Sequence, residues 1–300
     1  MIKKANIVKD PLFSIIGKCA DELQMNAFVI GGWVRDQILN IKREVIEFDI
    51  LSDQSGIQLA KKVAEKLKIK KISIYKTFGT AAINHNGIKI EFNGARQESY
   101  KKSSRNPIIK RGSVEDDQKR RDFTINAMSI RLNKKKYGEF IDPFNGMYDI
   151  KNEIIRTPLD PATTYDDDPL RMIRAIRFSS TLGFEIEEKS LDAIKKKRNR
   201  LKIIKQERIT EEFNKIILSK KPSIGINLLS VIIPVYNECD TIKECVDRVL
   251  KADTCGLNLE IVISDNLSTD GSREIIKAFN DPRIKTVLRE KHSGKGANVR

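Results

Sequence analysis

The chain has 300 residues, of which 40% are hydrophobic, and a formal net charge of +15. This length and apolar content are sufficient for two or three domains with buried cores. Two histidines argue against a His-ligated zinc site or a Ser-His-Asp triad, and four cysteines without paired metal spacing are typical of reduced thiols in a cytoplasmic protein. The sequence has no apolar run of membrane-spanning length and no signal-peptide core.

The positive charge is unevenly distributed along the chain. Residues 229–300 hold 11 basic and 11 acidic side chains, so the whole excess of +15 lies in residues 1–228. A basic first part and a neutral last part indicate two segments of different ancestry. The basic part is expected to bind a polyanion with salt-sensitive affinity.

The first predicted elements lead to a diglycine turn. A strand over residues 28–30 runs into Gly31 and Gly32, which precede a helix carrying Arg35. Glycines allow the backbone to approach phosphates closely, and a helix N-terminus favours anions. On its own, however, a Gly-Gly pair between a strand and a helix is usually only a turn.

Three acids follow on predicted strands. Glu47 and Asp49 are two residues apart and therefore point to the same face, and Glu91 projects in the same way from a later strand. Their apolar neighbours, which should face the core, are Ile46, Phe48, Ile50, Ile90 and Phe92. Carboxylates on adjacent strands form an all-oxygen site of the kind that Mg²⁺ prefers, usually shared with nucleotide phosphates.

The remaining pattern of residues 1–150 predicts a small mixed sheet with helices behind it. Asp10 before Pro11 predicts a helix start. A helix is predicted over 57–67 and strands over 71–75, 80–84 and 88–92, the last two joined by an Asn-Gly turn. Residues 97–119 lack periodicity and are predicted to be a mobile surface loop. Residues 120–127 are predicted to enter a helix.

The order Gly-Gly, acid–hydrophobic–acid and third acid resembles the nucleotidyltransferase superfamily. The form Gly-Gly-x-Val-Arg-Asp narrows the resemblance to class II tRNA nucleotidyltransferases (CCA-adding enzymes) and bacterial poly(A) polymerases. The resemblance implies catalysis by Glu47, Asp49 and Glu91, with two Mg²⁺ ions, replaceable by Mn²⁺, held by Glu47 and Asp49. The first metal carboxylate of that family is normally Asp, and here it is Glu47.

Residues 120–127, Arg-Arg-Asp-Phe-Thr-Ile-Asn-Ala, are close to verbatim the second signature of the same family. There the segment binds the triphosphate and ribose, and arginine forks suit phosphate oxygens. The alternative is a solvated double-arginine face. The nucleotide-binding residues implied in this part of the chain are Gly31, Gly32, Arg35, Arg120, Arg121, Asp122 and Asn126. Residues 141–149 match the flexible hinge segment of the family.

A predicted helix opening at Asp168-Pro169 and ending before Gly183 carries a candidate base-selecting pair. Asp168 and Arg171 share one face, where an acid accepts from the amine of C or A and an arginine donates to ring acceptors. In the resembled family this Asp-x-x-Arg pair selects the nucleotide. The alternative makes Asp168 an N-cap and Arg171, Arg174 and Arg177 a solvated stripe. In the favoured interpretation, nucleotide is bound by Asp168, Arg171, Arg174 and Arg177.

Further helices are predicted over 191–218. The basic run 195–200 is either a solvated face or a phosphate contact, and residues 206–213 match a segment that braces the neck helices of the family. In all, the resemblance covers residues 1–226 with five motifs in order.

The pattern changes near residue 228. Strands at 231–235, 260–265 and 284–288 alternate with helices at 241–250 and 273–279, which predicts half of a doubly wound sheet. The segment resembles family 2 glycosyltransferases, which implies a nucleotide-sugar site, and residues 294–297 add to the resemblance. The residues implied are Pro234, Tyr236, Asn237, Glu238 and Asp265. The chain ends before the metal-binding acids and catalytic base of that family, so we expect an incomplete, non-catalytic donor-binding half.

The sequence therefore predicts a mixed α/β protein with three domains. These are a polymerase-beta-like head over 1–150, an all-helical neck over 151–227 that selects nucleotide and RNA, and a partial β-α-β-α-β segment over 228–300. The leading hypothesis is metal-dependent CCA addition to tRNA, or another RNA 3′ end, from CTP and ATP. The alternatives are poly(A) addition, a catalytically impaired RNA- or nucleotide-binding fusion, and a glycosyltransferase fragment.

Overall fold

The structure is a computed structural model that describes residues 7–101, 104–228, 231–235, 237–251 and 261–290. The chain divides into two compact units, Met1–Asp167 and Asp168–Arg300. The first unit extends past residue 150, and the second holds the later helices together with the last segment. The three predicted domains stay a prediction. Within the described ranges, no helix combines the length and apolar character that a membrane crossing requires.

The first unit holds most of the strands. In chain order its elements are α1 (Pro11–Glu22), β1 (Ala27–Ile30), α2 (Gly32–Ile38), β2 (Glu47–Ser52), α3 (Gly56–Lys66), β3 (Ser73–Tyr75), β4 (Thr80–His85), β5 (Ile88–Gly94), β6 (Arg96–Lys101), β7 (Ser104–Arg111), α4 (Val114–Lys119), β8 (Ser129–Arg131), β9 (Phe140–Ile141), α5 (Gly146–Lys151), β10 (Ile154–Ile155) and α6 (Pro161–Asp167). Seven of these strands form one mixed sheet in the order β3-β4-β5-β2-β1-β8-β9. The predicted mixed-sheet head is confirmed.

An aromatic cluster fixes the helix that follows the diglycine turn. The rings of Phe13 on α1, Trp33 on α2 and Phe48 on β2 have centroids 4.6 to 5.4 Å apart. Tilted and edge-on ring pairs of this kind add stability beyond the area they bury. Because Phe48 lies between Glu47 and Asp49, the cluster anchors the acid-bearing strand and α2 to the same core.

Local signals predicted several elements correctly. Helix α1 begins at Pro11, with the Asp10 carboxylate accepting the Leu12 N–H at 2.9 Å. Strands β4 and β5 are joined through Asn86 and Gly87, both at positive φ. Ile46, expected in the core, is instead 41% exposed, because β2 begins only at the next residue.

Two predictions in this unit are wrong. Residues 97–119 are not an irregular loop: β6 and β7 pair as an antiparallel hairpin, and α4 follows with a Ser113–Asp116 capping box. The strands of this hairpin carry polar sequence, so hydrophobic periodicity gave no signal for them. Residues 120–127 do not enter an α-helix either. They form a 3₁₀ turn at Thr124–Asn126, because the chain must turn before β8 pairs with β1.

The second unit begins with helices and ends in a small sheet. Its elements are α7 (Leu170–Leu182), β11 (Glu185–Ile186), α8 (Glu188–Lys197), α9 (Gln206–Ile217), α10 (Pro222–Leu228), β12 (Val231–Val235), α11 (Ile242–Lys251), β13 (Ile261–Asp265), α12 (Ser272–Ala278) and β14 (Ile284–Leu288). Helix α7 ends at Gly183, whose φ is +79°, as predicted. Strands β12, β13 and β14 are parallel and adjacent in that order, which confirms the half-wound segment.

The neck helices and the half-wound segment share one apolar core. Ile217 on α9 and Ile226 on α10 lie in the same buried cluster as residues of α11, β13 and α12. The members from those three elements are Ile242, Val246, Val249, Ile261, Ile263 and Ile276. The change in sequence character near residue 228 is therefore not a break in packing.

Candidate functional site

Glu47, Asp49 and Glu91 lie on one face of the central sheet. Strands β2 and β5 are parallel neighbours, with Asp49 in register with Glu91 and Glu47 in register with Lys89. Since alternate residues of a strand share a face, these side chains form a two-by-two grid of three carboxylates and one ammonium. Phe48, Ile50, Ile90 and Phe92 are buried on the opposite face. The predicted strand geometry of the acids is thus present.

Asp49 is less exposed than Glu47, the other acid of β2. Burial raises the pKa of its carboxyl, Arg121 lowers it, and Glu91 and Glu47 raise it further. The carboxylate therefore carries a desolvation cost that one arginine offsets only in part. Raised pKa values of this origin cluster at functional sites.

Lys89 was not singled out from the sequence. Its Nζ lies 3.1 Å from Glu47 Oε1 and 4.0 Å from Glu91 Oε2. The hydrogen bond to Glu47 raises the pKa of the Lys89 ammonium. The signal that would have found it is its position two residues before Glu91, which places both side chains on the same face of β5.

The diglycine turn is pressed against the acids. Gly31 has a φ of +88°, and a Cβ atom there would lie 3.1 Å from both Asp49 Oδ2 and Arg121 Nη1. Any other residue would be strained and would crowd the pair. Its N–H donates to Met128 O at 3.3 Å. Gly32 adjoins the Arg35 side chain, 3.4 Å from Nη2 by the same measure.

Arg35 belongs to a buried network. Its Nε and Nη2 donate to Asp36 Oδ1 at 2.9 and 2.7 Å, and its Nη1 donates to Asn126 Oδ1 at 2.6 Å. The Asn126 amide in turn donates to Asp122 Oδ1 at 3.0 Å. The structure thus brings Arg35, Asp122 and Asn126 together and fixes their side chains, while their contact with nucleotide stays a prediction.

A buried carboxylate that the sequence reading missed orients the two arginines. Asp117 is fully buried; its Oδ1 accepts from Arg120 and its Oδ2 from Arg121 Nε and Nη2 at 3.3 and 3.2 Å. The side chains of Arg120 and Arg121 are 20% and 17% exposed. The (i, i+3) and (i, i+4) spacing from Asp117 was the available signal.

The predicted base-selecting residues lie in the second unit. The Asp168 carboxylate accepts the Leu170 N–H at 3.2 Å at the start of α7, as an N-cap would, and Arg171 is only 8% exposed. The interactions of this pair with a base stay a prediction.

Arg174 and Arg177 both face Glu212 of α9. The distances to its carboxylate are 3.9 Å from Arg174 Nη1 and 2.5 Å from Arg177 Nε. Burial opposes ionisation of Glu212, but Arg177 and Arg174 outweigh it and hold the pKa of the carboxyl below its usual value. These two arginines therefore link α7 to α9. They do not form the solvated stripe of the alternative interpretation.

The acidic grid fits a hard divalent ion only in part. Its donors are all oxygens, as Mg²⁺ prefers. Among the residues that the structure describes, however, no three His, Cys, Asp or Glu side chains converge where they could hold a metal. A metal here would take Glu47 and Asp49 and need further oxygens from a nucleotide.

The residues proposed for a nucleotide-sugar are occupied by loop contacts. Asn237 Oδ1 accepts the Thr269 N–H at 3.0 Å, and the Glu238 N–H donates to Ser272 Oγ at 2.8 Å. The fully buried Asp265 accepts the Leu267 N–H at 3.0 Å and pairs with an arginine of α12. Pro234 lies on β12 opposite Ser264. Tyr236 and residues 294–297 lie outside the described residues. A nucleotide-sugar site stays a prediction.

Family models match three stretches of the chain. Residues 27–156 match the poly A polymerase head domain, residues 183–230 match a probable RNA and SrmB- binding site of polymerase A, and residues 230–300 match glycosyl transferase family 2. The first stretch covers most of the predicted head and runs into the predicted neck, and the second covers the later part of the neck and ends just past it. The third begins close to the predicted junction.

Among curated relatives, the chain is 32% identical over 223 residues to an A-adding tRNA nucleotidyltransferase of Aquifex aeolicus, covering 74% of this chain and 26% of that protein. It is 37% identical over 198 residues to a CCA-adding enzyme of Lactobacillus helveticus, covering 65% and 47%. The chain thus spans about a quarter to a half of the length of these relatives.

A solved structure of the Thermotoga maritima CCA-adding enzyme complexed with tRNA is similar in fold, with a TM-score of 0.63 and 33% identity, covering 74% of this chain and 51% of that one. Its fold agrees with the mixed-sheet head and the helices that follow. Together with the two matching polymerase models, these likenesses show that the part of the chain before residue 230 is similar in sequence and fold to CCA-adding and A-adding tRNA nucleotidyltransferases and to the poly A polymerase head domain.

Proposed function

We propose that residues 1–228 catalyse metal-dependent, template-independent addition of nucleotides to an RNA 3′ end, namely CMP and AMP to tRNA. The observation that carries the proposal is the grid on β2 and β5, where Asp49 is in register with Glu91 beside Gly31 and Arg121. A nucleotide-polymerising site needs carboxylates and phosphate-binding groups at one point. Charge supports it, since the basic excess lies in this part of the chain.

Each group has a role in this proposal. Glu47 and Asp49, with Glu91 beside them, would hold two Mg²⁺ ions or their Mn²⁺ substitutes together with oxygens of the nucleotide. Such ions would lower the pKa of the terminal hydroxyl and neutralise charge on the pyrophosphate. Arg120 and Arg121, fixed by Asp117, bind triphosphate oxygens. The network of Arg35, Asn126 and Asp122 lines the nucleotide site beside the diglycine turn. Asp168 and Arg171 select C and A. The RNA and nucleotides are cytoplasmic solutes, so the cytoplasm is the proposed compartment.

Addition of A alone is a second candidate function. It is favoured by the Aquifex aeolicus relative, which is an A-adding tRNA nucleotidyltransferase. Poly(A) addition is a further variant of the same chemistry, since one head domain can serve all three products.

One experiment separates these products. The full chain is incubated with Mg²⁺ and each NTP, on tRNA trimmed of CCA and on tRNA trimmed of the terminal A only, and the RNA ends are sequenced. CCA addition extends both substrates and stops, A addition extends only the second by one residue, and poly(A) addition continues with ATP. No extension of any substrate with Mg²⁺ or Mn²⁺ would contradict the proposal and favour an RNA- or nucleotide-binding module.

A nucleotide-sugar ligand for the last segment is tested in parallel. Thermal shifts of the full chain are compared for UDP-sugars and for CTP or ATP with Mg²⁺, because a ligand that binds only the folded state raises the melting temperature. A shift with CTP and ATP but none with UDP-sugars is the expected outcome for the proposed activity.

A further inference from the structure

The ammonium of Lys89 lies beside two carboxylates of the acidic grid. Its ammonium contacts Glu47 at 3.1 Å and approaches Glu91 at 4.0 Å, while the carboxylate of Asp49 lies toward Gly31 and Arg121 on the neighbouring side. Arg121 lowers the pKa of Asp49 more than Lys89 does, whereas Glu47 accepts a hydrogen bond from Lys89. Among the described residues, no three metal-binding side chains converge.

The length of Glu47 suits this contact. The Glu47 and Lys89 backbones are in register on adjacent strands, so their side chains leave the sheet side by side. An aspartate at residue 47 would be shorter by one methylene, about 1.5 Å. Unless the lysine side chain moved to follow it, that shortening would lengthen the observed 3.1 Å contact beyond hydrogen-bonding distance. The unusual glutamate is thus the residue that reaches Lys89.

We infer that Lys89 is an internal counter-cation of Glu47 that occupies this carboxylate until a divalent ion and a nucleotide arrive together. The inference rests on the proposed function and adds to it that the metal site is assembled by the nucleotide. Lys89 is a positioning residue here, since it acts through Glu47.

The contact is weak enough to be displaced. The side chains of Lys89 and Glu47 are 48% and 58% exposed, and ion pairs exposed to this degree contribute little net stability. A divalent ion carries twice the charge of the ammonium, and the triphosphate brings the remaining oxygens. Without nucleotide, by contrast, the ion must compete with Lys89 for Glu47 and is repelled by the ammonium.

The test measures Mn²⁺ binding to the full chain by the loss of the free-ion EPR signal, with and without CTP, each compared with the same solution lacking protein because CTP itself binds Mn²⁺. We expect wild type to bind Mn²⁺ weakly alone and tightly with CTP. K89M should bind Mn²⁺ alone roughly three- to tenfold more tightly, because one competing charge is removed. In an E47Q background, K89M should give no such gain. K62M is the matched control, since Lys62 pairs with Glu22 at 3.2 Å on α1 and α3, away from the grid.

Circular dichroism melting of each variant verifies that it is folded before binding is compared. Equal Mn²⁺ affinity of K89M and wild type, with CTP binding still Mn²⁺-dependent, would overturn this inference and leave the proposed function intact. The same gain from K89M with and without the E47Q change would also overturn it, because the lysine would then not act through Glu47. If no variant bound Mn²⁺ or CTP, both the inference and the proposed function would fail.

Discussion

At the scale of single residues, the head is distinguished by carboxylates that the fold places under electrostatic strain. Asp49 is partly buried beside two other acids, and its main compensation is Arg121. Asp117 is the reverse case, a fully buried acid with a guanidinium on each oxygen. An incompletely compensated acid such as Asp49 beside a fully paired one such as Asp117 is expected where structural residues support a functional site.

Asp49→Asn should abolish nucleotide incorporation while stabilising the metal-free protein. A metal ligand on a rigid strand has no substitute, and the amide removes a charge that burial disfavours. Because the pKa of Asp49 is raised in the folded state, stability falls as pH rises above the unfolded value of about 4, so the advantage of the variant should be larger at pH 7 than at pH 3.5, where it should vanish. Urea unfolding in EDTA at pH 7 and pH 3.5, beside RNA extension assays, checks both expectations.

The matched control is Glu65→Gln, an exposed acid of α3 outside the site. It should leave both activity and stability close to wild type. Incorporation by Asp49→Asn at the wild-type rate would show that Asp49 is not a metal ligand.

Replacing Asp168 or Arg171 with Ala should blur nucleotide choice, so that U and G enter RNA more often. Each lost base-edge contact is expected to cost on the order of 1–3 kcal/mol of discrimination, by analogy with readout in DNA grooves. Sequencing of RNA ends made from all four NTPs measures the change. Unaltered choice with a lower melting temperature would favour the N-cap role that the Leu170 contact already indicates.

At the scale of elements, short-range signals predicted what local chemistry decides. Asp10 before Pro11 placed the start of α1, and alternation of acids with apolar residues placed β2 and β5. The hairpin β6–β7 escaped because pairing between polar strands is a tertiary choice without periodic signal. The in-register contact between Glu47 and Lys89 escaped for a related reason. It depends on which strands are neighbours, and β2 and β5 are separated by α3, β3 and β4 in the chain.

Glu212→Gln should loosen α9 from α7 without changing which nucleotide is added. The Glu212 carboxylate stabilises the fold only while it is ionised, and its pKa is lowered in the folded state. Its contribution to stability is therefore present above about pH 4.3, the unfolded pKa, and is lost as pH falls through the folded pKa. At pH 7 the variant should lose about 1.5–3 kcal/mol, the range for hydrogen bonds to charged groups. The difference from wild type should shrink toward pH 3.

Unfolding curves at pH 7 and pH 3 provide this measurement, with Glu211→Gln as the neighbouring control, because Glu211 is 60% exposed and its 3.8 Å contact is to Arg208. A Glu212→Gln protein that is stable but chooses nucleotides differently would instead assign Arg174 and Arg177 to the nucleotide.

At the scale of the whole molecule, the boundary in sequence and the boundary in packing fall at different places. Composition changes near residue 228, yet the apolar cluster of the second unit runs from α9 and α10 into α11, β13 and α12. A change in composition indicates that two segments differ in ancestry, whereas packing depends on which apolar faces are in contact. The half-wound segment therefore has a structural role whether or not it binds a ligand.

A chain ending at residue 228 should consequently be less stable than the full chain. Removing the segment exposes Ile217 and Ile226, which are 7% and 1% exposed in the cluster. Each fully buried isoleucine contributes about 1.5–3 kcal/mol, a large share of the roughly 5–15 kcal/mol that stabilises a typical domain. In the full chain, Val246→Asp should give the same loss because Val246 is fully buried, whereas Val287→Asp on β14, at 47% exposure, should not. Calorimetric melting and binding of a hydrophobic dye report the change. Equal melting of the shortened and full chains would mean that α9 and α10 keep their structure unaided.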